Sequence, residues 1–193
     1  MDDEHQALNI YDPIDQKLEI SYVMDKQMIV HTYPVLLRGH RVILYGFDQK
    51  KLEYFFLVYN FDEKTMMHVP FLKVEDDHQG IQIKGYNKDE IFIYHNSSKK
   101  IYWFDLDSFD LRLSIDISAS PGCSHVMHKY GAILNFKGDG VMDVYDDETG
   151  DYLMSQAFPA ENPDLLDIED SEVFFRGQSM KKTYFYQLTS TQK

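Results

Sequence analysis

Apolar and polar residues alternate over short stretches of this chain, and polar turns interrupt the alternation at regular distances. Five stretches share one grammar. They are "LNIYDPIDQKLEISYVM" around Asp12, "FLVYNFDEKTMMHVPFL" around Asn60, "IYWFDLDSFDLRLSIDI" around Asp105, "MDVYDDETGDYLMSQAF" around Asp146 and "YFYQLTSTQK" around Gln187. In each, a turn residue follows an aromatic one, and successive anchors lie 48, 45, 41 and 41 residues apart. A period of two marks a strand with one buried face. Asp, Asn and Gly between two such runs are turn formers, so each full stretch reads as a β-hairpin.

Further strands precede the hairpins. "RVILYGF", "EIFIYHN", "GAILNFK" and "EVFFRGQ" alternate clearly, and "MIVHTYPVLL", "GIQIKGY", "SHVMHKY" and "DLLDIED" do so more weakly. That gives four strands per repeat and no helical period, hence an all-β chain. Four short strands in a repeat of forty-odd residues is the pattern of a β-propeller blade. A four-stranded sheet cannot bury both faces alone, whereas blades packed face to face cover one another, with alternating aromatics filling the gaps.

The hairpin "VYDDETGDYL" resembles the repeat of tryptophan-docking or YVTN-type propellers, and "YNFDEKTMMHVP" resembles the outer strands of a kelch repeat. The resemblance spans nearly the whole chain. The double glycine of kelch blades and the Trp-Asp ending of WD40 blades are absent, so the resemblance implies architecture and no functional residue. The expected organisation is one β-repeat domain over residues 1–193. Its blade-like units cover 27–72, 73–118 and 119–159, and a fourth unit of 160–193 is completed by strand "KLEISYV" of residues 1–26. That closure makes a ring of about four blades and removes open sheet edges. Two alternatives stand beside it: membership of a larger propeller, and a β-sandwich or barrel.

Composition narrows the function classes. The chain has 193 residues, 44% hydrophobic and 15% aromatic, which suits a sizeable folded core. Its net charge of −13 disfavours binding to a phosphate backbone, so no nucleic acid is expected. No apolar run approaches the roughly 20 residues of a membrane helix, and the start "MDDEHQALNI" lacks the features of a secretory signal. The single cysteine, Cys123, fits a reducing compartment, cytoplasmic or nuclear. The sequon at Asn96-Ser97-Ser98 is read as a chance match.

Candidate chemistry is sparse. In a propeller, loops joining second to third strands share one face, and hairpin turns joining third to fourth share the other. The first set carries Lys50, Lys51, Lys99, Lys100, Lys137, Lys181 and Lys182. The second set, "DPIDQ", "NFDEK", "DLDSFD" and "DDETGD", carries carboxylates. Segregated charge suits docking of a partner of opposite sign. The competing account is that lysines protect strand edges and Asp and Asn make turns.

"CSHVMH" places Cys123, His125 and His128 close together, but on a strand 123 and 125 share a face and 128 points away. No metal site and no cofactor are expected, and Cys123 reads as a small buried thiol. Asp105 with Asp107, and Asp146 with Asp147, read as turn chemistry. "KGDG" lacks the context of a phosphate loop. The function expected is a non-catalytic scaffold presenting loops to a protein partner, or a subunit of a larger assembly. The alternative is a hydrolase or lyase in a central funnel, using His68, His78, His95 and Tyr94.

Overall fold

The computed structural model describes the backbone of residues 6–11, 17–38, 40–75, 80–86, 89–137, 140–157, 164–169, 172–179 and 182–188. Side chains are described up to residue 157, apart from 6, 19 and 32–38. All regular structure among these residues is strand. The order is β1 (Gln6–Tyr11), β2 (Leu18–Met24), β3 (Met28–Arg38), β4 (Arg41–Asp48), β5 (Glu53–Asn60), β6 (Thr65–Lys73), β7 (Ile81–Tyr86), β8 (Glu90–His95), β9 (Lys100–Asp105), β10 (Leu111–Asp116), β11 (His125–Lys129), β12 (Ala132–Phe136), β13 (Val141–Asp146), β14 (Tyr152–Ala157), β15 (Asp164–Glu169), β16 (Glu172–Ser179) and β17 (Lys182–Leu188).

The chain divides into two compact units, Met1–His78 and Gln79–Lys193. In the first, β1 and β2 form a two-stranded sheet, and β3 to β6 form a four-stranded one. The second holds the four-stranded sheets β7–β10 and β11–β14 and the three-stranded sheet β15–β17. Every sheet is a meander, in which each strand pairs antiparallel with its neighbour in sequence. Strand β2, which contains most of "KLEISYV", pairs with β1 from Gln6↔Met24 to Tyr11↔Leu18. Such a series of small antiparallel sheets fits propeller-like or sandwich stacking.

One turn device recurs, and the aromatic–Asx spelling encodes it. The Oδ1 atom of Asn60 accepts the N–H groups of Asp62 (3.0 Å) and Glu63 (3.4 Å). Asp105 does the same for Asp107 and Ser108, and Asp146 for Glu148 and Thr149. Four residues after each anchor the backbone turns left-handed, at Lys64 (φ 52°), Phe109 (φ 62°) and Gly150 (φ 76°). The chain then re-enters the ladder. Asx side chains are suited to this because they bond the backbone two and three residues on. The aromatics before the anchors, Tyr59, Phe104 and Tyr145, are all buried. Asp48, at the end of β4, accepts Lys50 and Lys51 N–H in the same way, with Leu52 at φ 55°.

Burial explains why the sheets stack. All six residues of β8 are buried, as are six of the eight in β5. A strand buried on both sides needs a layer on each face. In the second unit, Phe92, Ile101, Trp103 and Ile115 of one sheet pack with Val126, Ile133 and Tyr145 of the next. In the first unit, Leu8 and Tyr22 of the two-stranded sheet cover Leu44, Phe55 and Leu57. Each such side chain contributes about 1.5–3 kcal/mol by leaving water. The close approach of β7 to β11 requires Gly85, where a Cβ would lie 1.8 Å from the Val126 carbonyl oxygen.

Each four-stranded sheet also bulges between its third and fourth strands. The irregularities fall at Tyr54/Phe55, at Leu111/Leu113 and at Val144/Tyr145. The second leaves Arg112 without a ladder partner, and a bulge re-aims the residue it frees.

Two predictions test this frame. Gly85→Ala forces backbone against backbone and is expected to cost about 2 kcal/mol or more in denaturant unfolding. Gly131→Ala, with nothing within 4 Å but φ +68°, should cost only about 1 kcal/mol. Equal effects would refute the close approach as the reason for Gly85. The second concerns Asp105, whose carboxyl is held down at about 2, first by the Ser108 N–H and then by Arg112. A depressed carboxylate adds stability above its ordinary 3.8 that fades as pH falls towards 2. Asp105→Asn should flatten that acid slope in thermal melts between pH 5 and 2.

Candidate functional site

The sequence singles out the lysine-bearing turns. Lys50 and Lys51 sit between β4 and β5, both exposed. Their N–H groups are tied to Asp48 Oδ1 at 3.0 Å, so the backbone is fixed while the side chains project. Lys51 Nζ reaches Asp48 Oδ2 at 3.6 Å with its side chain still 58% exposed. Lys99, in the turn between β8 and β9, and Lys100, the first residue of β9, are half-buried. Lys99 holds the left-handed turn position (φ 53°), and its carbonyl accepts the Ile117 N–H at 2.9 Å. His95 Nδ1, 2.8 Å from Ser98 Oγ, braces that turn. Lys181 and the side chain of Lys182 lie outside the described residues.

Lys137 departs from the expectation of an exposed loop lysine. It is only 7% exposed, and its Nζ donates to Ser120 Oγ at 2.7 Å and lies 3.0 Å from Asp143 Oδ2. Asp143 is fully buried on the central strand β13, where its other oxygen accepts Ser155 Oγ–H. The stem of Lys137 packs against Gly122, whose φ of +136° suits glycine alone. The ammonium is therefore committed inside the protein, as the counter-charge of a carboxylate with no access to water. A serine 2.7 Å from a lysine also suggests a nucleophile and base. The Lys137 amine is occupied by Asp143 and donates to Ser120 Oγ, so it offers that serine no base.

Cys123 and His125 are structural in character. Burial pushes the Cys123 thiol up to about 12, so no thiolate forms near neutrality. Burial first, and then the charge of Lys84, pushes His125 down to about 4. Of the residues read as funnel candidates, His78 lies outside the described residues. His68 lies on β6 in the first unit, its ring 4.2 Å from that of Phe55, with its pKa lowered chiefly by burial. His95 and Tyr94 are buried on β8, Tyr94 within the apolar cluster. Among the described residues no group of three His, Cys, Asp or Glu is placed to hold a metal ion. No described helix is long and apolar enough to cross a membrane.

The densest polar arrangement is one the sequence reading missed. His128, on β11, sets Nδ1 3.2 Å from Glu90 Oε1 and Nε2 2.9 Å from Asp147 Oδ2. Glu90 begins β8, and Asp147 belongs to the turn after β13. Arg112, freed by its bulge, puts one nitrogen 3.4 Å from Glu90 Oε1 and another on Asp105 Oδ2. The rings of Trp103 and His128 are 4.7 Å apart, and the Arg112 guanidinium sits 5.3 Å above Trp103. Beside this cluster a cleft of about 220 Å³ is lined by Tyr86, Phe92, His125, Val126, Met127, His128 and Lys129. The only sequence signal was that 128 faces away from 123 and 125. Asp147 is a turn residue by its sequence, and its pairing with His128 shows a second role.

No family model matches the chain, and no curated protein matches it in sequence. In structure it is similar to the computationally designed Ika8 protein at 10% identity and a TM-score of 0.51, over 80% of this chain and 45% of that one. It is similar to the computationally designed Ika4 protein at the same identity and TM-score, over 80% of this chain and 88% of that one. It is also similar to BBS1N, solved in complex with ARL6DN, at 11% identity and a TM-score of 0.55, over 96% of this chain and 60% of that one. The chain thus spans less than half of Ika8 and three fifths of BBS1N. At these identities the likeness concerns the fold alone. It supports an all-β repeat architecture and adds nothing to the kelch and YVTN resemblances.

The buried ion pair gives a direct test. Lys137→Met leaves Asp143 buried without its counter-charge and is expected to cost about 3–5 kcal/mol. Adding Asp143→Asn removes the stranded charge, so the double variant should recover at least half of that loss in urea unfolding. Additive losses would show that the two side chains do not act as a pair.

Proposed function

We propose that this protein is a non-catalytic protein-interaction platform, built as a β-propeller of about four blades or as part of a larger one. Its partner presents an acidic surface to the lysine-bearing turns. The observation that carries this reading is the construction of those turns. The backbone N–H groups of Lys50 and Lys51 are fixed by Asp48, and the turn bearing Lys99 is braced by His95 and Ser98. A charged group on a stiff turn loses less freedom on docking, and this favours affinity. The Asx anchors of the opposite turns spend their Oδ1 atoms on their own backbone. BBS1N, similar in fold, is solved in complex with another protein. The single cysteine supports a cytosolic or nuclear setting.

A hydrolase or lyase is the second reading, and one observation favours it. The cleft beside β11 holds two histidines pushed apart, His125 down to about 4 and His128 upward. Groups separated in this way can divide acid and base roles. Against it, both nitrogens of His128 already face carboxylates, and no activated nucleophile stands nearby among the described residues.

The platform reading is tested by reversing Lys99 and Lys100 to Glu together, and Lys50 and Lys51 likewise, with circular dichroism as the check on folding. Proteins retained by the wild type on affinity purification from the source cell should be lost or weakened at least tenfold, and the salt dependence of binding should fall. Unchanged retention by both variants would sink the proposal.

A further inference from the structure

His128 stands between two carboxylates that belong to different sheets. Glu90 comes from β8 of one sheet and Asp147 from the turn after β13 of the other, while His128 lies on β11. A neutral imidazole carries one N–H and one lone pair, so it can donate to only one of two ionised carboxylates and must turn its lone pair on the other. The imidazolium donates to both. We propose that protonation of His128 is a switch that fastens the sheet β11–β14 to the sheet β7–β10, tightening their seam and the adjoining cleft as the medium becomes more acidic through neutrality.

The surroundings favour this. From β10, Arg112 holds Glu90 at 3.4 Å and also binds Asp105, so the Glu90 carboxyl is tethered beside the ring. From β9, the Trp103 ring lies 4.7 Å from that of His128, tilted by 44°. From β7, Tyr86 lines the same cleft, and on β11 itself His125 and Lys129 flank His128. His125 stays neutral through this range, held low by burial, so it does not share the titration. Hydrogen bonding to Glu90 is the largest influence on His128, and it raises the pKa above the ordinary 6.5, with Asp147 adding to it. A raised histidine contributes stability that is full below its unfolded value and is lost as pH rises through its folded one. The fastening therefore weakens from near neutrality upward.

The molecule contains its own probe. Trp103 is the only tryptophan, and a protonated imidazole against an indole quenches its emission. Wild-type emission, followed from pH 5 to 9, should rise with pH in one step whose midpoint lies above 6.5. His128→Gln, which keeps polar groups but cannot titrate, should abolish the step. Its melting temperature should fall relative to wild type as the pH is lowered through the midpoint, and the gap should level off below about 6.5. Glu90→Gln and Asp147→Asn should each move the step to lower pH by several tenths of a unit or more, which keeps the test decisive if His128→Gln does not fold. A flat wild-type profile, a step that survives His128→Gln, or a midpoint unmoved by both carboxylate variants would overturn the switch.

Discussion

A small antiparallel sheet whose inner strands are apolar on both sides folds only if something covers both faces, and the rest of this structure depends on that constraint. A strand of six residues offers three side chains to each side. In β8 both sets are buried, and in β5 the whole middle of the strand is. The seam between the two four-stranded sheets of the second unit is filled by side chains from both, Phe92 and Trp103 against Val126 and Tyr145 among them. Neither sheet could keep these groups from water alone, so stacking and folding are one event. Gly85 follows from the same constraint, since the edges of β7 and β11 meet at a distance that excludes a Cβ.

Once the sheets are stacked, the polar groups caught between them need partners inside the protein. Burying an ion is tolerated when its counter-charge and hydrogen bonds come with it. Asp143 meets this with Lys137 and Ser155, and Glu90 with Arg112 and His128. The two solutions differ in kind. Lys137 and Asp143 are locked by each other and by Ser120 and Ser155, so the first pair is a fixed strut. A histidine between carboxylates changes its state near neutrality, so the second is adjustable. Both occur where residues from different strands converge, and this gives the second unit a permanent and a variable tie.

The two levels of structure were unequally legible in the sequence. Strands and turns were readable because they are local. An aromatic followed by Asp or Asn spells a hairpin at Asn60, Asp105 and Asp146, since the anchor side chain bonds its own backbone within three residues. The polar cluster was not readable, because its members meet across sheets. Nothing near His128 in sequence announces Glu90, 38 residues earlier. Arg112 is harder still. Strict alternation assigns it a face, and a bulge, which leaves no local signal here, turns it towards Trp103 and Glu90. Lys137 misled for a related reason. Its loop looks like the other lysine loops, and only the fully buried Asp143 on the adjacent strand draws it inward.

The net charge of −13 limits what kind of docking the lysine turns can support. At long range an acidic partner meets repulsion from the whole molecule, so electrostatic steering does not speed the encounter. At physiological salt, however, charges separated by more than about 8 Å are largely screened. Within that distance a partner near Lys50 and Lys51 meets two lysines carried on a fixed backbone turn, one of them 3.6 Å from Asp48, while remote carboxylates contribute little. The attraction therefore acts after first contact, where it slows dissociation and selects register. Flexible lysines would lose much of this gain in ordering their side chains and loops. Turns already closed by Asp48, and by His95 with Ser98, have met the backbone part of that cost during folding.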